Sequence, residues 1–201
     1  CQYYLQIIDS DGEILQEWGG SGLVEGLDGK FSAHGGQPEV WVNATGERIY
    51  TYQWGPNQIQ RFNVDGRLER SWILPERYDL CSIADDSSET VYVAVRGRNE
   101  VGVLDQMGDI VSGIAITGLD DACNLITDQR GNLFVNKGDT VHIFDNLGGP
   151  MSQITGFGHI RAMSLDYQGH LWLGVVHDDT YSAPYWDWGK VIELAQDQIN
   201  P

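Results

Sequence analysis

The sequence predicts an all-β fold built from a repeated four-stranded unit, and three observations point to it. An aliphatic residue followed by an aromatic recurs as Ile49-Tyr50, Val91-Tyr92, Leu133-Phe134 and Leu171-Trp172, so the aromatic returns after 42, 42 and 38 residues. Twenty-five glycines among 201 residues, many beside Asp or Asn, cut the chain into short runs, which suits tight turns between strands. No stretch keeps a 3.6-residue apolar period long enough for a helix of useful length.

The elements follow in order. "PEVWVN" (38–43), "LCSIAD" (80–85), "CNLITD" (123–128) and "RAMSLD" (161–166) read as first strands, ending on Asn43, Asp85, Asp128 and Asp166 before a turn. "ERIYTY" (47–52), "ETVYVA" (89–94), "GNLFVN" (131–136) and "GHLWLG" (169–174) are second strands carrying the aliphatic–aromatic pair. "NQIQRFNVDG" (57–66), "NEVGVLDQMG" (99–108), "DTVHIFDNLG" (139–148) and "GKVIELAQDQ" (189–198) are third strands, and "YYLQIIDSDG" (3–12) is a fifth copy. Apolar residues that run into Asp/Asn and Gly mark a strand entering a hairpin. "RLERSWIL" (67–74) and "DIVSGIAI" (109–116) then supply fourth strands.

A repeat of four antiparallel strands with this period is the signature of a β-propeller blade. The expected fold is a single β-propeller domain, 1–201, of four-stranded antiparallel blades, with about four to five blades present. A half blade (1–18) precedes blades at about 38–75, 79–117, 121–157 and 160–201, the last lacking its outer strand. Because a closed propeller leaves no unpaired edge, the chain is expected to be part of a larger ring. The alternative is a four-bladed ring in which the N-terminal segment completes the last blade.

This register resembles the NHL-repeat family and its six-bladed relatives. "EWGGSGLVEGLDGKFSAHGGQPEVWVN" (17–43) is similar to that family's glycine-rich link between blades, with Gly19, Gly22, Gly26, Phe31 and Pro38 in the corresponding places. Asn57 and Asn99 resemble the polar residue preceding its third strand. The resemblance implies architecture and leaves function open, because propellers carry many unrelated activities.

Twelve basic residues against 29 acidic ones give a net charge of −17. Such a surface repels phosphate backbones and argues against a nucleic-acid partner. It suits an extracellular or periplasmic setting, and no run is apolar enough to be a transmembrane segment. A lipid anchor at Cys1 is conceivable, but Tyr3–Ile8 reads as a strand with no polar tether before it. Cys81 and Cys123 enter first strands of consecutive blades, and the reading favours buried free thiols over a disulfide. Asn43-Ala44-Thr45 is a glycosylation sequon, meaningful only in a secretory eukaryote.

Candidate sites gather on the loops that join fourth to first and second to third strands. "HDDTYSAPYWDW" (177–188) is much longer than its sisters "QWGPNQ" (53–58), "RGRNE" (96–100) and "NKGD" (136–139). The binding residues expected there are His177, Asp178, Asp179, Tyr181, Tyr185, Trp186 and Trp188. His34, His159 and His177 form a candidate Zn²⁺ set, since three imidazoles with an open position suit a metal acting on bound water. The peptide-amidating lyases, six-bladed relatives, imply the same chemistry. Asp79, Asp120, Asp121, Asp178 and Asp179 could offer oxygen ligands to Ca²⁺. His142 and His170 are expected to be structural. No nucleophile elbow, phosphate loop or dinucleotide fingerprint occurs.

The function expected is therefore a non-catalytic scaffold that needs no cofactor. It would bind a protein partner or a ligand, as a subunit of a larger extracytoplasmic assembly. The alternatives are a metal-dependent lyase or hydrolase using the three histidines, and carbohydrate binding through Tyr185, Trp186 and Trp188.

Overall fold

The structure is a computed structural model that describes residues 3–22, 31–32, 38–75, 78–86, 88–98, 100–115, 124–166, 168–176, 190–195 and 199. The fold is all-β, with antiparallel sheets of the propeller-blade type. The chain divides into two units, Cys1–Asp79 with Asp105–Asp109, and Leu80–Leu104 with Ile110–Pro201. Among the described residues, no helix is long and apolar enough to cross a membrane.

In the first unit, β1 (Tyr4–Ile8) pairs with β2 (Ile14–Gly19) as a two-stranded antiparallel sheet. A short parallel bridge follows, β3 (Ser21–Gly22) with β4 (Phe31–Ser32), inside the link read as glycine-rich connection. Then come β5 (Glu39–Val42), β6 (Arg48–Gln53), β7 (Gln58–Asn63) and β8 (Leu68–Ile73), hydrogen-bonded in sequence order. Phe31, Ile49 and Phe62 are buried together, with Tyr3, Leu5, Ile7, Trp18 and Leu68 packed against them. Trp18 and Phe31 meet Phe62 with ring centroids 5.9 and 6.4 Å apart, within the range of favourable tilted aromatic pairs. Gly66 lets Trp18 lie close, since a Cβ there would fall 2.8 Å from its ring.

The second unit holds β9 (Leu80–Asp85), β10 (Val91–Val95), β11 (Glu100–Leu104) and β12 (Ile110–Ala115) as one sheet. The next is β13 (Leu125–Thr127), β14 (Leu133–Lys137), β15 (Thr140–Phe144) and β16 (Pro150–Thr155). The last has three strands among the described residues, β17 (His159–Leu165), β18 (Leu171–Val176) and β19 (Lys190–Leu194). First strands β9, β13 and β17 lie side by side. Ser82 Oγ accepts the Leu125 N–H at 3.0 Å and donates to the Leu125 carbonyl at 3.1 Å, while the Thr127 hydroxyl donates to the Asp85 carbonyl. Second strands are covered on both faces: every residue of β10 is buried, whereas outer strand β16 alternates exposed and half-buried positions. That contrast explains the sequence, because doubly covered strands read as unbroken apolar runs and half-covered ones alternate.

One turn closes hairpins in both units, joining first to second and third to fourth strands. Seven times among the described residues an Asp or Asn side-chain oxygen accepts the backbone N–H groups two and four positions on. The acceptors are Asp9, Asn63, Asp86, Asp105, Asp128, Asp145 and Asp166. Asn43 does the same in a turn one residue longer, accepting from Arg48. The third residue after the acceptor has positive φ and is glycine, as at Gly131 and Gly169 (both φ 83°), except for Glu89 (φ 62°). A type I turn followed by a left-handed residue requires that conformation, and Asx side chains satisfy the otherwise unpaired N–H groups.

One expectation needs correction, that for Cys81, and one turn is displaced relative to its sisters. β9 ends on the buried Asp85, as read from the sequence, but the side chain that accepts the turn N–H groups is that of the next residue, Asp86. This is the turn where Glu89 replaces glycine, so the sequence frame slips by one. Cys81 is disulfide-bonded rather than a free thiol. First strands β9 and β13 do approach closely enough for Ser82 to bridge them. The other two cysteines, Cys1 and Cys123, lie outside the described residues.

Two predictions follow from these packing details. Replacing Asp145 with alanine strips the acceptor from the Leu147 and Gly149 N–H groups, at 2.9 and 2.7 Å. This should cost about 1–2 kcal/mol in urea unfolding. Asp145→Asn should stay near wild type, since Asn63 already fills the same role, and equal losses in both variants would refute the account. Tyr92 is pushed up to about 12 from 10.0 by burial, then by the charge and hydrogen bond of Asp86. A raised pKa means its contribution to stability is whole below pH 10 and lost as pH climbs through about 12. Tyrosinate absorbance should show a late step that Tyr92→Phe removes.

Candidate functional site

Two features of the last sheet stand out, one at each of its opposite ends. At one end β18 gives way to the long connection. His159 is paired across the ladder with Val176, and Val175 with Lys190. Residues 177–189 therefore leave β18 and return on β19, the second-to-third-strand position read from the sequence. The corresponding connections run only from Gln53 to Gln58, from Val95 to Glu100 and from Lys137 to Thr140.

The foot of this connection is held by buried polar groups. Asn136 is fully buried, and its Oδ1 accepts the Asn124 backbone N–H at 2.6 Å and side-chain amide at 3.2 Å. Its own amide donates to the Ile160 carbonyl at 2.9 Å, while Asn124 Nδ2 donates to the Arg161 carbonyl at 3.1 Å. The Ile160 N–H donates in turn to the Gly138 carbonyl at 2.9 Å. The start of β17 is thus pinned to the preceding sheet beside the point where the long connection departs. Hydrogen-bonded amides of this kind fix position as well as adding stability.

Of the sequence-predicted residues, His159 stands half-buried at the first position of β17. His34, His177, Asp178, Asp179, Tyr181, Tyr185, Trp186 and Trp188 lie outside the described residues, as do Asp120 and Asp121. Asp79 is described and exposed, at the end of the first unit. His142, on β15, has its pKa lowered by burial and then by the nearby charge of Lys137.

At the opposite end of the last sheet is a cluster that the sequence reading missed. His170 Nδ1 lies 3.3 Å from Asp166 Oδ2 and 2.9 Å from Glu193 Oε1. Asp166 Oδ1 accepts the Gln168 and His170 N–H groups, both at 2.9 Å, and Trp172 Nε1 donates to Oδ2 at 3.2 Å. Burial pushes the Asp166 carboxyl up. The His170 N–H, the Trp172 indole, the Gln168 N–H and the His170 charge outweigh it and hold the group below its ordinary value. The available signal was a comparison of repeats. His170 stands where the earlier blades have Arg48, Thr90 and Asn132, and Glu193 where they have Arg61, Val103 and Ile143.

The sequence matches no family model, and a search of the curated proteins finds no match. Solved structures are similar at the level of the fold. A Bacteroides caccae protein of unknown function aligns at TM-score 0.53 and 14% identity, covering 96% of this chain and 69% of that one. Kuenenia stuttgartiensis hydrazine synthase aligns at TM-score 0.57 and 12% identity, covering 87% of this chain and 49% of the other. A catalytically inactive H270A virginiamycin B lyase from Staphylococcus aureus, determined with quinupristin, aligns at 0.55 and 13% identity. This chain is covered to 94% in that alignment and spans 61% of the lyase. At such identities the likeness concerns fold alone.

Truncating Asn136 to alanine leaves the Asn124 amide and Ile160 carbonyl without their partner. The expected cost is about 2–4 kcal/mol, with faster amide exchange at Ile160. Unchanged exchange there would show that the foot of the long connection is held by other means.

Proposed function

We propose that this chain is a non-catalytic, NHL-like recognition propeller of the extracellular or periplasmic space, and that it binds through the loop at 177–189. One observation carries the reading: the longest second-to-third-strand connection springs from the polar-pinned end of β17–β18. Rigid sheets that display an extended, aromatic-rich loop are a recurrent binding arrangement. Two tyrosines and two tryptophans within 181–188 offer large contact area at low entropic cost. The net charge of −17 favours a partner or ligand surface with basic or neutral character. A protein partner within a larger assembly is the class that fits best.

Exchange of residues 178–188 for a two-residue turn, on the pattern of Lys137–Thr140, tests the idea. If the rings serve recognition, the shortened protein should keep its melting temperature within a few degrees. If they are core, unfolding free energy should drop by several kcal/mol, roughly 3 for each buried aromatic removed, and the reading fails. Glycan-array screening of wild type beside Trp186→Ala and Trp188→Ala separates ligand classes, since sugar stacking requires those rings.

A second reading rests on His159, which sits across the ladder from Val176, next to His177 in the chain. With His34, these two could hold Zn²⁺ for a lyase or hydrolase reaction. Loss of bound zinc on His159→Ala would favour it over the scaffold.

A further inference from the structure

We propose that Asp166, His170 and Glu193 form a site for one divalent transition-metal ion, at the opposite end of the last sheet from the long loop. The three side chains offer one imidazole nitrogen and two carboxylate oxygens, and these atoms all lie within 4.8 Å of one another. Metal–ligand bonds of about 2.0–2.2 Å place neighbouring donors roughly 3 Å apart. The distances of 3.3 and 2.9 Å from His170 Nδ1 to the two carboxylates already have that spacing.

The competing account is an ion pair in which a protonated His170 braces the turn. The other blades argue that the fold does not need an imidazole here. In the β13–β14 turn, Asn132 Nδ2 donates to Asp128 Oδ2 at 2.8 Å, so a neutral amide braces the same aspartate. At the position of Glu193, that sheet carries Ile143, a buried core residue. The last blade thus departs from its sisters at two positions, one in the β17–β18 turn and one on β19, and both departures supply donor atoms to one point.

The surroundings also suit a ligand set. Asp166 is oriented by two backbone N–H groups and the Trp172 indole, the kind of outer hydrogen bonding that aims a carboxylate at a metal. One nitrogen and two oxygens favour Zn²⁺, Ni²⁺ or Cu²⁺ over Ca²⁺ and Mg²⁺, which prefer all-oxygen shells. Three protein donors leave a position for water or a partner's side chain. A bound ion would tie strand β19 to the β17–β18 turn through Glu193.

The test is calorimetric titration of the whole chain with Zn²⁺, with Mg²⁺ and Ca²⁺ as comparisons. One Zn²⁺ per chain is expected at this site, with Mg²⁺ and Ca²⁺ much weaker. His170→Asn restores the brace seen at Asn132 and should keep the fold while weakening Zn²⁺ binding at least about tenfold. Glu193→Gln should do the same without altering the metal-free melting temperature. His159→Ala, at the other end of the sheet, should leave this binding unchanged. A histidine ¹⁵N spectrum should place the Zn²⁺-induced shift on His170. The proposal is overturned if wild type binds no Zn²⁺, if both site variants bind as wild type does, or if binding is lost with His159 instead.

Discussion

The architecture depends on one small hydrogen-bonded device: an Asp or Asn carboxyl or amide oxygen that accepts backbone N–H groups two and four residues on. It solves a specific problem. A tight hairpin leaves N–H groups pointing inward with no strand opposite them, and the side chain supplies the missing acceptor. A residue with positive φ then swings the chain back into register. Both parts are local in sequence, so each hairpin is specified by a handful of residues whatever surrounds it. Apolar packing decides how sheets stack, but the turn decides which residues face which, because a slip of one would invert every side chain of the strand.

That locality explains what could be read from the sequence. The second strands stood out because they are covered on both faces and carry the Ile/Val/Leu–aromatic pair at constant spacing. The turns stood out because Asx and glycine sit three apart. The role of Asp86 as turn acceptor went unread where glycine gives way to Glu89, since nothing in composition distinguishes a Glu at positive φ from an ordinary strand residue. The parallel β3–β4 bridge was illegible for a different reason: two residues per strand leave no periodicity to detect. Cys81 was misjudged because whether a cysteine meets a partner is a tertiary quantity that sequence spacing does not reveal.

The candidate sites divide along the same line. The long loop announced itself by length and composition against shorter sisters. Asp166, His170 and Glu193 did not, because 22 residues lie between His170 and Glu193 and only strand pairing brings them together. Each of the three also has an ordinary use at its position, as turn acceptor, turn donor and exposed strand residue. Only superposing the repeats reveals that the last blade differs from the others at two points that meet. In a repetitive fold, the repeat supplies its own control, and departures from it carry the information that an isolated domain hides.

Hydrogen-bonded neighbours within each sheet of three or more strands are consecutive in the chain, and this has a bearing on how the protein is made. Such sheets contain no crossover, so a nascent chain can complete each ladder in the order in which it emerges. Hairpins form in roughly 1–10 μs, whereas translation adds about 5–20 residues per second, so each blade has ample time to pair before the next is synthesised. The slow step left is the side-by-side docking of first strands, a contact between blades. Misfolding in this molecule should therefore be a failure of blades to join, with each blade already correctly built.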